Sequence, residues 1–233
     1  MLDGNVFVRD HTPMTQAAPP DEYHLEFTKY GPPDVSRITG VSGDLLRDWR
    51  RRGIIKASNF GSSVYTSLTI AQIMLRRALS DVGVPLTESE KSADLGALYV
   101  LGFAVEAPKA IEEPADISSA SVRGAINELQ LPSDFRYLLI TRPQIFAGDL
   151  SDLPNAAESF ELFGGLLPLP TLEFGLGIID RLQRDNRAEA WSVVDLRALG
   201  DKLLRRSQRP ICRLCSGPRR AAHPVATSKV GGG

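Results

Sequence analysis

Apolar residues recur at helical spacing along some stretches of this chain and alternate along others, and the changeovers mark its elements. In Val41-Ser42-Gly43-Asp44-Leu45-Leu46-Arg47-Asp48-Trp49-Arg50-Arg51-Arg52-Gly53-Ile54-Ile55, the residues Leu45, Leu46 and Trp49 stand three and four apart and make one apolar helix face. Ser42 supplies the N-cap, because its hydroxyl can accept from the open amides of a first turn. Gly53 ends the helix, since glycine takes the left-handed conformation without steric cost. Arg47, Arg50 and Arg51 fall on the other side, with Arg52 near the end. Upstream, residues 33–39 form a shorter helix with Pro33 in its first turn, and Gly40-Val41 turns the chain into the next. Two short helices joined by a glycine-containing turn make a helix-turn-helix pattern. Downstream, Ile54, Ile55, the turn Asn59-Phe60-Gly61-Ser62 and Val64-Tyr65 predict a small hairpin.

The pattern then returns to helical spacing over 67–82, with Leu68, Ile70, Ile73, Met74 and Leu79, and stops at Gly83. Thr87, with Glu90 three residues on, predicts a capping box and a further helix. Residues 95–104 are almost continuously apolar, which fits either an extension of that helix or a buried strand. Residues 23–28 alternate and predict a strand or extended arm, with His24 as an incidental surface residue. Residues 1–22 hold too little apolar surface to fold and are expected to be a disordered arm. Pro108, Pro114 and the pair Glu112-Glu113 predict a linker over 107–117 and a domain boundary there.

The second half changes texture. A helix is expected over 119–129, a β-prone strand over 136–141, strands at 160–163 and 172–174, a helix over 175–184, a strand over 190–196 and a terminal helix over 197–206. Alternation of this kind makes a small α/β or α+β domain over 118–206. The whole chain is therefore expected to be α+β, with a DNA-binding unit over 23–106 and a C-terminal domain for dimerisation or signal input. Residues 207–233, rich in cations and ending in glycines, are expected to be a flexible basic tail.

Composition narrows the function. Of 233 residues, 42% are hydrophobic and 24% charged, as in a globular protein, but the formal net charge is −1. Any attraction for nucleic acid must then be local. No apolar run is long enough to span a bilayer, and the first ten residues lack the apolar core of a secretory signal. With two cysteines and no such signal, the expected compartment is a reducing cytoplasm.

Residues 34–95 resemble the winged helix-turn-helix domain of MerR-type transcription regulators. The resemblance is carried by Ile38-Thr39-Gly40-Val41-Ser42, by Leu46-Arg47-Asp48-Trp49-Arg50-Arg51-Arg52-Gly53-Ile54-Ile55, by Tyr65-Thr66, and by Arg76-Arg77-Ala78-Leu79-Ser80-Asp81-Val82-Gly83-Val84-Pro85-Leu86. It implies a recognition helix over 42–52 in the major groove of double-stranded DNA, with a hairpin wing behind it. Carried over by position, it implies Ser42, Arg47, Trp49, Arg50, Arg51, Lys56 and Tyr65 as DNA-binding residues: Arg47 toward the bases, Arg50 and Arg51 near phosphates, Trp49 beneath the wing or on the backbone, Tyr65 at the wing's end. Asp48 and Ser63 depart from the family pattern, where an aromatic and a wing arginine usually stand. Both changes remove favourable contact and imply altered DNA binding. The resemblance also implies a homodimer in the bacterial cytoplasm, associated with the nucleoid, and contact with RNA polymerase. The long dimerisation helix usual in that family has no counterpart here, because no heptad pattern persists between Thr87 and Leu131.

Candidate chemistry is sparse. There is no phosphate loop, Gly175-Leu176-Gly177 lacks the strand-and-turn setting of a dinucleotide site, and no nucleophile has a plausible histidine partner. The chain is not expected to be an enzyme, and no cofactor is expected. Cys212-Arg213-Leu214-Cys215 is half of a zinc site, with His223 as a third candidate ligand, but a basic tail with two reduced thiols is the simpler expectation. The leading function is a sequence-specific DNA-binding transcriptional regulator. The alternatives are a mobile-element or phage DNA-bending protein, such as an excisionase or recombination directionality factor, and an interaction module that has lost DNA binding.

Overall fold

A computed structural model describes residues 23–55, 64–114, 117–142, 162–163, 166–169, 171–184 and 190–217. The expected arm at 1–22, the turn at 59–62, Lys56, Ser63 and His223 lie outside them. The first helix pair forms as its caps dictate. Helix α1 (Pro32–Thr39) ends at Gly40, whose φ of 74° lets its amide reach back to the Ser36 carbonyl. Thr39 Oγ1 donates to the Val35 carbonyl at 2.8 Å and accepts from the Val41 amide at 3.1 Å, which fixes the turn. Helix α2 (Gly43–Arg51) begins at Ser42, whose hydroxyl accepts from the Leu45 amide at 3.2 Å. It closes with Gly53 at φ 73° and the Ile54 amide on the Trp49 carbonyl at 2.9 Å.

Strand β1 (Tyr23–Phe27) leads through β2 (Lys29–Tyr30) into α1. After α2, β3 (Tyr65–Thr66) pairs antiparallel with β2, setting Tyr30 against Tyr65. Among the described residues, Ile54 and Ile55 form no strand with Tyr65, so the hairpin's flanks are committed elsewhere: one to the end of α2, the other to β2. Helix α3 (Ser67–Asp81) is capped by Thr66, which accepts from the Thr69 amide. The expected capping box at Thr87 does not form. Residues 86–88 turn, Ser89 donates to the Leu86 carbonyl at 2.9 Å, and helix α4 (Glu90–Glu106) begins after it.

Helix α4 resolves the ambiguity over 95–104 in favour of an extended helix. It is buried on nearly every side, which is why its sequence carries no polar stripe. It lies between α3 and the last helix, α7 (Leu196–Ser207), which follows strand β7 (Ala190–Asp195). Two glycines allow that packing. A Cβ on Gly96 would stand 2.5 Å from a Leu75 methyl, and one on Gly200 would stand 2.7 Å from the Val100 carbonyl oxygen. A long helix sealed within one chain is not available to pair across a dimer.

The second half forms β4 (Ile111–Glu112), α5 (Ser119–Glu128), β5 (Tyr137–Arg142), β6 (Leu167–Leu169) and α6 (Leu172–Arg184) before β7. Strand β5 is central in a sheet of order β6-β5-β7, antiparallel on both sides. The strand expected at 172–174 is instead the first turn of α6, because Leu-Glu-Phe alternates over too few residues to tell strand from helix. At 160–163 only Leu162 and Phe163 are described, and they form no strand; Phe163 is buried against Tyr99 and Phe135, with centroids 5.7 and 6.4 Å away. Asp195 caps α7 on the Ala198 amide at 3.0 Å and pairs with Arg136 at 2.8 Å. Burial would raise its carboxyl, but the Arg136 hydrogen bond and the amides outweigh it, so the group sits below the usual carboxylate range.

The largest departure is at the end of the described chain. The expected flexible tail opens with a strand, β8 (Cys212–Ser216), which lies antiparallel to β1 and parallel to β4. Ile211 and Cys212 are fully buried and Leu214 is 2% exposed. The expected linker at 107–117 likewise contains β4, anchored by the Ile211 amide on the Ala110 carbonyl at 2.7 Å. One cluster of buried side chains runs from Leu25 through the first helices and α4 to Leu203 and Leu214, so the two expected domains share a core. No helix among the described residues is long and apolar enough to cross a membrane.

Candidate nucleic-acid interface

Helix α2 is held from below. Leu46 and Trp49 are each 2% exposed and pack into the core with Val35, Ile38, Val41 and Ile55. Tyr65 is 3% exposed, and the Arg50 guanidinium carbon lies 4.7 Å from the centre of its ring. Three of the residues that the resemblance marks for DNA binding thus also hold the helix in place. Trp49 and Tyr65 are covered and offer no surface to a duplex. Arg50, half-buried against the tyrosine face, links α2 to β3 by a cation–π contact.

The solvent face carries the remaining cations. The Arg47 side chain is 77% exposed and pairs with Asp44 one turn earlier. Arg51 is 80% exposed and lies 2.7 Å from Asp48, whose other oxygen is 3.6 Å from Arg52. Ser42 stands at the head of this face, spent on capping. Asp44 in the first turn and Arg50 and Arg51 in the last oppose the helix dipole correctly, so the charge order also stabilises the helix.

These exposed pairs decide how available the face is. Such pairs are worth about 0–1 kcal/mol each, because water screens both partners and the side chains lose freedom. A phosphate with its own counterion release can displace a carboxylate from an arginine at that cost. Asp44 and Asp48 then remain beside the incoming anion. The exposed cations of this face, Arg47, Arg51 and Arg52, therefore stand against a local acidic background of Asp44 and Asp48. Arg52 is the contact candidate that the residue-by-residue resemblance left out; its place on the last turn was the available signal.

The position of α1 and α2 is set from the far end of the chain. Arg37 donates to the Arg206 carbonyl and pairs with Asp34 at 2.8 Å. Arg206 donates to the Ile38 carbonyl at 3.2 Å. Arg209 reaches the Lys29 carbonyl at 3.0 Å and Asp34 at 3.2 Å while lying 4.4 Å from the centre of the Tyr30 ring. Arg37, Arg206 and Arg209 together bolt the last helix and the turn after it onto the first.

The cysteine pair does not form half of a metal site. Cys212 and Cys215 are three apart on a strand, so their side chains leave opposite faces. Cys212 points into the core, where burial pushes its thiol up to about 12.

Compared with known proteins, residues 30–94 match the family model described as MerR HTH family regulatory protein. That segment, a little over a quarter of the chain, is a MerR-type helix-turn-helix DNA-binding domain. No curated protein and no solved structure matches the chain.

Proposed function

We propose that this protein is a sequence-specific transcription regulator that lays α2 in the major groove of double-stranded DNA. The single observation behind this reading is the two-sided character of α2 inside a MerR-type segment. Leu46 and Trp49 are sunk in the core while the Arg47 and Arg51 side chains are 77% and 80% exposed on the opposite face. A buried ridge fixes the helix as a rigid body, and rigid presentation is what base readout requires. Arg47 reads base edges, while Arg51 and Lys56 neutralise phosphates, with the segment between α2 and β3 serving as the wing. A two-fold operator calls for two copies of the chain, and a MerR-like mode of action adds RNA polymerase as a partner. Since α4 is sealed inside one chain, the pairing surface belongs to the second half. The protein performs no chemistry on the DNA.

Genome-wide crosslinking of the full chain identifies the target, and gel shifts on that target test the helix. Promoter-centred peaks are expected; a single peak at an attachment site would point to the DNA-bending accessory role instead. Arg47→Ala is expected to cost about 1–3 kcal/mol and to relax preference at one base pair. Arg51→Ala is expected to weaken binding to all sequences and to lower the salt slope by about 1. Unchanged binding in both variants would overturn the assignment of α2.

A further inference from the structure

Outside the helix-turn-helix, the face of the β1–β8–β4 sheet opposite Leu25 and Leu214 brings together three side chains with ligand chemistry. His24 and Glu26 are two apart on β1 and share a face; the register sets Cys215 of β8 directly opposite His24. The candidate donor atoms of His24, Glu26 and Cys215 all lie within 4.8 Å of one another. His24 Nε2 and Glu26 Oε1 are 3.6 Å apart. In a tetrahedral zinc site with ordinary bond lengths, neighbouring ligand atoms stand roughly 3.4–3.6 Å apart. One pair is already at that spacing, and the thiol needs only a side-chain adjustment.

The histidine is prepared for this role in a second way. It was expected on the surface but is 7% exposed. Its Nδ1 lies 3.2 Å from the Gly217 carbonyl oxygen. A carbonyl can only accept, so Nδ1 is the donor in this contact, and Nε2, on the side where Glu26 stands, is the ring nitrogen left to ligate. A metal-bound histidine is held in the same manner, its other nitrogen donating to a backbone carbonyl or carboxylate. Gly217 has a φ of 104°, a conformation an L side chain rarely adopts, so a glycine is needed at the position whose carbonyl takes that proton.

We propose that His24 Nε2, Glu26 and Cys215 Sγ bind one zinc ion, with water as a fourth ligand, and that the ion staples β1 to β8. An imidazole, a carboxylate and a thiolate together suit zinc, and its two charges balance the two anionic ligands. Metal binding releases the Cys215 thiol proton to solvent as the Sγ–metal bond forms. The site is independent of the DNA-binding reading and survives its failure. It is also distinct from the Cys212/Cys215 spacing motif, because Cys212 leaves the other face of β8.

Cobalt(II) titration of the full chain, after removal of bound metal with a chelator, provides the test. One equivalent should bind, with a thiolate-to-cobalt charge-transfer band in the near ultraviolet that zinc abolishes, and zinc should raise the thermal midpoint. Cys215→Ser should lose the band. Glu26→Gln, an exposed change that leaves the fold intact by circular dichroism, should weaken binding by about tenfold or more. No uptake by the natively folded chain would overturn the site, as would unaltered affinity in Glu26→Gln or a band that persists in Cys215→Ser.

Discussion

Helices α1 and α2 are tied off locally, whereas the β1–β8 pair joins chain segments almost the whole described length apart. Gly40 closes on Ser36 and Ser42 on Leu45, each within one turn. Thr28 meets Pro210 across 182 residues, and His24 meets Gly217 across 193. Two clusters of arginine, one on α2 and one where α1 meets α7, divide along a related line. On α2 the cations face solvent beside weakly held acids. At the α1–α7 junction Arg37, Arg206 and Arg209 are consumed by carbonyls, Asp34 and a tyrosine ring. Local sequence sets the first arrangement, and only the closed fold sets the second.

The comparison is broken most severely at Leu214. It is 2% exposed and faces Leu25 across the sheet. Leu214→Asp buries an unpaired carboxylate and is expected to cost about 4 kcal/mol or more in denaturant unfolding. If the C-terminal strand were dispensable, this variant would unfold at the parent midpoint. Ser42→Ala removes one cap at the other pole and is expected to cost about 1 kcal/mol by the same measurement. A larger loss from Ser42→Ala than from Leu214→Asp would reverse the ranking of local and distant ties.

The smallest change sharpens the contrast between the two arginine clusters. Asp48→Asn removes the carboxylate that holds Arg51 and Arg52 on the exposed face. Folding stability should move by less than about 1 kcal/mol, as for other exposed pairs. DNA affinity should rise and its salt dependence steepen, since the face then meets phosphates with one fewer negative charge. Unchanged affinity together with an unchanged salt slope would exclude Asp48 as a brake on this face.

What could be read from the sequence follows the same division. The spans of α1, α2, α3 and α5 rest on caps and spacing that act within a few residues, and the MerR-type motif over the first two of them was legible for that reason. Residues 95–104 were ambiguous because a helix buried on all sides carries no polar stripe. Cys212 to Ser216 was misread because Cys-Arg-Leu-Cys among cations resembles a tail, and only a partner strand near the chain's beginning turns its alternation into two faces. Trp49 is buried, one of the two settings the resemblance implies for it, and Tyr65 is buried as well; sequence position by itself does not report burial. Nothing beside His24 in the sequence marks it; only the β1–β8 register puts Cys215 opposite it.

The meeting of β1 with β8 has a bearing on how the molecule is made. A ribosome delivers Tyr23 long before Ser216, and closing a span of that size carries an entropic cost that no local contact offsets. Until the late strand arrives, the apolar side of β1 has no neighbour on its pairing edge, and Arg37 lacks the Arg206 and Ser207 carbonyls that will fix it. The helix-turn-helix therefore gains its ties to α7 only when the end of the chain arrives, although its own residues are synthesised early.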